Sequence, residues 1–175
     1  MQFNIFSFLF VILAASQVQA ALSVQSVSAS VGKVFGLVED ATQIADSIEG
    51  NFYRGAVPRL VVNTRNIIGL LTGEVQNALG GLDSIGGDSD QGEICSSFDS
   101  FTKVQRKFLN TITSKGDILT GGPAAAVMDN ILHALKRGVD GVSAGMIAGL
   151  PSCVTAKDNM RTLDEALDEA LESMS

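Results

Sequence analysis

Val24 to Ile48 reads VQSVSASVGKVFGLVEDATQIADSI, and its apolar and small residues fall at Val24, Val27, Val31, Val34, Val38, Ala41, Ala45 and Ile48. The steps alternate between three and four residues, which places these side chains along one face of an α-helix and does not match the two-residue period of a strand. Phe35 and Ile44 widen the stripe, and Gly50-Asn51 supplies a stop. An amphipathic helix needs other apolar faces to bury its own, so the architecture depends on the partners that the rest of the chain supplies.

The same period recurs downstream. Pro58, tolerated in a first helical turn, marks the start of a second helix that runs to about Leu79 through Val61, Ile68, Leu71 and Val75. Gly80 to Gly92 (GGLDSIGGDSDQG) breaks the pattern and reads as a loop. A third helix carries Ile94, Phe98, Phe101, Val104, Phe108 and Ile112 and ends near Lys115-Gly116, where the helix dipole favours a cation and the cap favours glycine. A fourth starts near Pro123, passes through Val127, Ile131, Leu135, Val142 and Met146, and stops at Pro151, which cannot continue the hydrogen-bond ladder. The fifth, from about Thr155 to Met174, sets Met160, Leu163, Leu167, Ala170, Leu171 and Met174 opposite Asp164, Glu165, Asp168, Glu169 and Glu172. Five amphipathic helices on short connections predict an all-α bundle.

Upstream of Val24 the chain has a different character. Ile5 to Ala15 (IFSFLFVILAA) is apolar or small throughout, and Val18-Gln19-Ala20 offers the small residues at −3 and −1 of a signal peptidase site. Residues 1–20 are therefore expected to be a cleaved signal peptide, leaving 21–175 as the mature domain with Ala21 first. The apolar run is too short for a membrane span of about 20 residues. The acidic Asp164–Ser175 segment does not resemble a glycolipid-anchor tail.

The formal net charge of −7 stays with the mature domain, because the first twenty residues carry no charged side chain. Nucleic acid and anionic membrane are poor partners for such a surface, since both require clustered Lys and Arg. Once the signal is set aside, five Phe, one Tyr and no Trp remain, so the core must consist of aliphatic side chains. Cys95 and Cys153 form an even pair in an oxidising compartment and are expected to be bonded; a C-x-x-C redox spacing is absent.

Three local patterns mimic functional motifs. Gly141-Val142-Ser143-Ala144-Gly145 matches G-x-S-x-G, but that elbow needs a preceding strand and a later histidine. Ser143 lies in a helical pattern and the only histidine, His133, precedes it, so no catalytic residue is assigned and no enzyme activity is expected. A single histidine makes no zinc site. The acidic run Asp88-Ser89-Asp90-Gln91-Gly92-Glu93 has glutamate where a calcium loop requires glycine, and Asp99 at its twelfth position. No metal or cofactor is expected. Finally, Gly138, Gly141, Gly145 and Gly149 fall within the fourth helix, where each costs up to about 1 kcal/mol relative to alanine. Such spacing allows close helix approach, or leaves a yielding wall that admits an apolar chain.

Several segments resemble the fungal hydrophobic surface-binding protein A family, which includes the antigenic cell wall galactomannoproteins. They are the Val/Ala/Ile stripe with Asp40 and Asp46 on its polar side, Phe108-Leu109-Asn110-Thr111-Ile112-Thr113-Ser114-Lys115-Gly116-Asp117, Val127-Met128-Asp129-Asn130-Ile131-Leu132-His133-Ala134-Leu135-Lys136, Val139-Asp140-Gly141-Val142, and Met146-Ile147-Ala148-Gly149-Leu150-Pro151. The resemblance implies a non-enzymatic protein, secreted or wall-associated, that binds apolar surfaces or lipids and in some members holds fatty acids in a helical bundle. The chain departs from that pattern in lacking a long Ser/Thr-rich tail and an N-x-S/T sequon, and in carrying the cysteine pair.

Two classes of function remain open. In the first, Phe98, Phe101, Phe108, Ile131, Leu135, Met146, Leu163 and Leu167 line a site for a fatty acid or other apolar ligand, with Arg54, Arg59 and Arg65 as candidates for the head group. In the second, the same side chains form a dry core and the charged exterior meets a partner protein. A cavity of about 300 Å³ or more between the helices would favour the first.

Overall fold

The computed structural model describes residues 5–49, 53–80, 88–120 and 125–174, with side chains described from residue 25 onward and excluding those of 50–54, 81–90, 121–124 and 175. Every regular element among the described residues is helical: α1 (Ile5–Asp46), α2 (Tyr53–Leu70), a single π-turn (Leu71–Val75), α3 (Gln76–Leu79), α4 (Asp88–Ser114), α5 (Gly116–Thr120), α6 (Ala125–Gly149) and α7 (Ala156–Glu172). The expected signal peptide lies outside the residues whose side chains are described.

α2, the π-turn and α3 form one continuous rod, as the sequence predicts through to Leu79, but the rod begins at Tyr53 rather than at Pro58. Proline inside a helix forfeits a backbone bond to the preceding turn. That turn is nevertheless held in place because Ala56, Val57 and Leu60 are buried against the core. α4 likewise starts earlier than the expected loop boundary, at Asp88. The sequence at that point, Asp-Ser-Asp, suits a helix N-terminus, where peptide N–H groups are unpaired and the dipole favours anions. The calcium-like run is therefore helix from its first residue; residues 81–87 of the expected loop, and Pro123, lie outside the described residues. α5 has no counterpart in the five-helix expectation: after the break at Lys115 the chain makes one further short helix that buries Leu119.

The long elements close into a ring. α1 packs on α2 and α4, α4 on α7, α7 on α6, and α6 back onto the α2–π–α3 rod, while α5 touches α4 and α6. Lys33 of α1 pairs with Glu74 of the π-turn at 2.6 Å across the seam between α1 and the rod, on the exposed side of both. Lys136 of α6 reaches Asp164 at 3.1 Å and Asp168 at 3.5 Å on α7. The disulfide Cys95–Cys153, with α-carbons 5.7 Å apart, ties the first turns of α4 to the link between α6 and α7. Asp99 of α4 reinforces that seam by accepting hydrogen bonds from Thr155 Oγ1 at 2.9 Å and from Asn159.

The interior is aliphatic, with Phe98, Phe101 and Phe108 supplying its aromatic rings from α4. The α4 stripe differs from the expected one at a single step: Val104 is only half-buried, and the fully buried position is Gln105.

A candidate apolar ligand site inside the helical ring

A small, largely enclosed apolar cavity lies within the ring toward the disulfide end. α1 contributes Val27, Val31 and Val34, the rod contributes Leu71, Val75 and Leu79, α4 contributes Ile94, Phe98 and Phe101, and α6 contributes Val142 and Met146. All of these are apolar, and each is placed by helical spacing: residues three or four apart on each helix face the same axis. Only about 10 Å³ is open to the centre of a water-sized sphere, against the 300 Å³ or more of a formed ligand pocket. The helices thus leave almost no free space between them.

Three glycines of α6 face the rod, two of them too closely for a methyl group without a shift of the neighbour. A Cβ on Gly138 would stand 3.5 Å from Leu71 Cβ, and one on Gly145 would stand 3.2 Å from Leu79 Cδ1. At Gly141 it would overlap the carboxamide of Gln76. α6 is therefore packed tightly against the rod at Gly141 and Gly145 and in ordinary contact at Gly138, and two of the facing side chains, Leu71 and Leu79, are themselves cavity walls. A π-turn widens the helical ladder locally, which breaks the regular stacking of a packed rod.

Of the residues expected to line a ligand, the structure brings Phe98, Phe101 and Met146 together at the cavity. The rings of Phe98 and Phe101 are stacked with centroids 6.1 Å apart. Phe108, Leu135, Leu163 and Leu167 are fully buried but belong to the core outside the cavity walls. Ile131 lines a solvent-open, mostly apolar groove between α2 and α6, about 370 Å³ in volume, together with Arg65, Ile68 and Val127. Arg59 borders a second groove between α1 and α2, about 730 Å³ in volume, whose walls include Asp40, Gln43, Asn63 and Asn66. That groove is larger than the interior cavity and also includes Ile44, Pro58 and Val62, but its half-polar, solvent-open walls would leave an alkyl chain partly in water. Arg59 and Arg65 are exposed on the outside of α2, and the side chain of Arg54 lies outside the described residues. Neither described arginine is brought to the interior cavity.

The valines of α1, the leucines around the π-turn, Ile94 and Val142 also face the cavity. They carry the same signal as the anticipated residues, a three-or-four spacing, and nothing in that spacing separates wall from core.

Among buried polar side chains, Thr42, Thr64 and Thr102 bond to the carbonyl four residues earlier, as hydroxyls do within a helix. Gln105 is different: it is fully buried, and neither its Oε1 nor its Nε2 has a partner. Ser143 Oγ is also buried without a partner, in the middle of α6. His133 lies on the exposed side of the same helix, 3.7 Å from Asp129. Ser143 thus sits on a regular helix rather than on a strand-to-helix elbow.

The fold and interior define a closed helical bundle with an aliphatic axis. Its architecture is shared with two solved structures. AfMp4p, solved in complex with palmitic acid, matches with a TM-score of 0.75 at 12% identity, over 87% of this chain and 99% of that one. Ligand binding domain 1 of the Penicillium marneffei MP1 protein, complexed with arachidonic acids, matches with a TM-score of 0.63 at 14% identity, over 89% of this chain and 95% of that one. At such identities the likeness is one of fold. No family model and no curated protein sequence matches the chain.

Proposed function

We propose that this chain is a non-enzymatic lipid-binding protein that holds a long-chain fatty acid, or a similar apolar ligand, within its helical ring. The observation that carries this reading is the cavity whose walls are entirely apolar, bounded on one side by an α6–rod seam in which Gly141 and Gly145 lie tight against Gln76 and Leu79. Separation of α6 from the π-turn would enlarge that cavity without exposing a buried ion pair. Each methylene moved from water to the interior contributes about 0.8 kcal/mol, so a long chain can offset the cost of opening. The fatty acids bound by AfMp4p and by the MP1 domain support the same use of the fold here.

The reading extends to setting and kinship. The N-terminal apolar run with its Val18-x-Ala20 site, the disulfide, and the absence among the described residues of any helix long and apolar enough to cross a membrane all fit a secreted protein. The likeness of segments such as 127–136 and 146–151 to the fungal hydrophobic surface-binding protein A family supports a setting at the cell wall or beyond it. Native mass spectrometry of the secreted protein tests the proposal: a mass increment matching a bound fatty acid, lost on delipidation, is the expected result. A spectrum of unliganded protein alone, from lipid-containing medium, would contradict it.

A second reading draws on the tightness of the cavity. With about 10 Å³ open to water, the interior also suits a dry core beneath a surface that recognises a partner protein. The same experiment separates the two, since a dry core carries no lipid.

A further inference from the structure

Two polar side chains are buried on α4: Thr102 donates its hydroxyl to the Phe98 carbonyl, whereas Gln105, one turn past the cavity walls Phe98 and Phe101 and not itself among them, makes no such bond. It lies a single turn beyond Phe101, about 6 Å along the helix axis. Its side chain is wholly removed from solvent, and both ends of its carboxamide are without a partner. Buried polar side chains almost always have partners, and one left without them in a well-packed interior calls for an explanation. A structural role in the core would be served better by leucine or methionine, which fill the same space and leave no polar atom unpaired.

We propose that Gln105 is the head-group site of the ring interior: it receives the carboxyl end of a long-chain acid, whose alkyl tail runs from Gln105 past Phe101 and Phe98 toward Ile94. This rests on the reading of the interior as a lipid site. A carboxamide offers two N–H donors and a carbonyl acceptor. A carboxylic acid offers a carbonyl acceptor and an O–H donor, so the two groups form a reciprocal pair, N–H to C=O and O–H to C=O. No Asp, Glu, Lys, Arg or His is among the buried described residues, so the interior provides no cation for an ionised head. Charge without a counterion is strongly disfavoured there, which selects the uncharged acid. The ligand would therefore enter head first. The exposed Arg59 and Arg65 play no part in holding it.

From Ile94 to Gln105 the α4 wall measures about 16 Å, a length on the scale of a long alkyl chain. The cavity walls cover the Ile94–Phe101 part of that path and are all aliphatic or aromatic, so the acid reaches Gln105 only where the helices part beyond Phe101. The arrangement separates two tasks: apolar walls supply affinity by area, and a single carboxamide supplies orientation.

The test uses the full mature protein, delipidated, with a fluorescent lipid probe displaced by palmitic acid or by a hydrocarbon of the same length lacking a polar end. Wild type is expected to prefer the acid. Gln105→Leu should weaken the acid about tenfold, the loss of two neutral hydrogen bonds, and should leave hydrocarbon binding undiminished. Gln105→Met, close to glutamine in shape, repeats the comparison if the leucine variant folds poorly. Acid affinity unchanged in a folded variant would overturn the assignment while leaving interior binding intact. Failure of wild type to bind either ligand would instead overturn the lipid-site reading on which it rests.

Discussion

Gly116, the first residue of α5, lies directly against Ser173 at the end of α7: a Cβ on Gly116 would stand 2.8 Å from the Ser173 carbonyl oxygen and 3.0 Å from its Cβ. This contact locks the short helix onto the end of the ring opposite the disulfide. Backbone cannot swing aside as a side chain can. Gly116→Ala is therefore expected to destabilise the fold by roughly 1–3 kcal/mol through overpacking. Gly141→Ala gives the contrasting case, because the group it meets is the far end of the Gln76 side chain, which can change rotamer. There the gain in helix propensity of up to about 1 kcal/mol should offset most of the strain. Urea unfolding of the two variants beside wild type distinguishes them, and equal losses would contradict the geometry.

The Cys95–Cys153 bond closes a loop of 58 residues in sequence separation. In the loop-entropy model such a closure disfavours the unfolded chain by about 4 kcal/mol. Cys95→Ser/Cys153→Ser should lower the unfolding midpoint accordingly, with helical content retained in the absence of denaturant. A variant as stable as wild type would show that the bond contributes nothing to the fold.

The helical class, the pairing of the cysteines and the helix stops at Lys115-Gly116 and before Pro151 were legible because they rest on periodicity, compartment chemistry, glycine and proline. Other features were not. Pro58 reads as a start in sequence, yet burial of Ala56 and Val57 carries the helix back to Tyr53. The π-turn at Leu71–Val75 leaves no local mark, since its residues continue the apolar pattern and the extra ladder residue is absorbed against the α6 glycines. Gln105 was hidden for the opposite reason. Beside Val104, a polar residue looks like the edge of the stripe, and only packing against neighbouring helices reveals it as the interior position. Spacing likewise could not divide Phe98, Phe101 and Met146 at the cavity from Phe108, Leu135, Leu163 and Leu167 in the core.

Asp140 stands near Lys136, Asp164 and Asp168 on the α6–α7 seam. Partial burial raises its pKa above the ordinary carboxylate value; Lys136 opposes this, and Asp164 and Asp168 add to the rise. A raised folded pKa means the native state binds the proton more readily, so stability falls as pH climbs from the ordinary carboxylate range through the raised value. Asp140→Asn removes that penalty. Its melting temperature should exceed that of wild type at pH 7 and converge with it near pH 3. Lys136 responds differently: burial lowers its pKa, but its hydrogen bond to Asp164 and the surrounding carboxylates outweigh this and raise it overall. Its contribution persists through neutral pH and is lost only as pH rises through the folded lysine value. A pH series of melts checks both signs.

Position within the interior should decide what a bulky substitution does. Val142 is a cavity wall, whereas Leu135 is packed in the core away from it. Val142→Phe is expected to fill the site and weaken lipid binding by tenfold or more, in line with loss of several buried methylenes. Leu135→Trp should chiefly lower stability, by roughly 1–3 kcal/mol. Calorimetric titration and thermal melts on both variants separate the effects; a reversed pattern would relocate the site toward Leu135.

The most direct measurement of the central claim is calorimetric titration of delipidated mature protein with saturated fatty acids of increasing length. If the tail is buried among Val31, Val34, Leu71, Phe98 and Met146, binding is one to one and tightens with length. The expected limit is about 0.8 kcal/mol, roughly fourfold in Kd, for each methylene that enters the ring. Gradual tightening followed by a plateau, where the chain outgrows the interior, is the predicted result. Absence of heat at every length, from protein whose helical content and cooperative melt are intact, would contradict lipid binding within the ring.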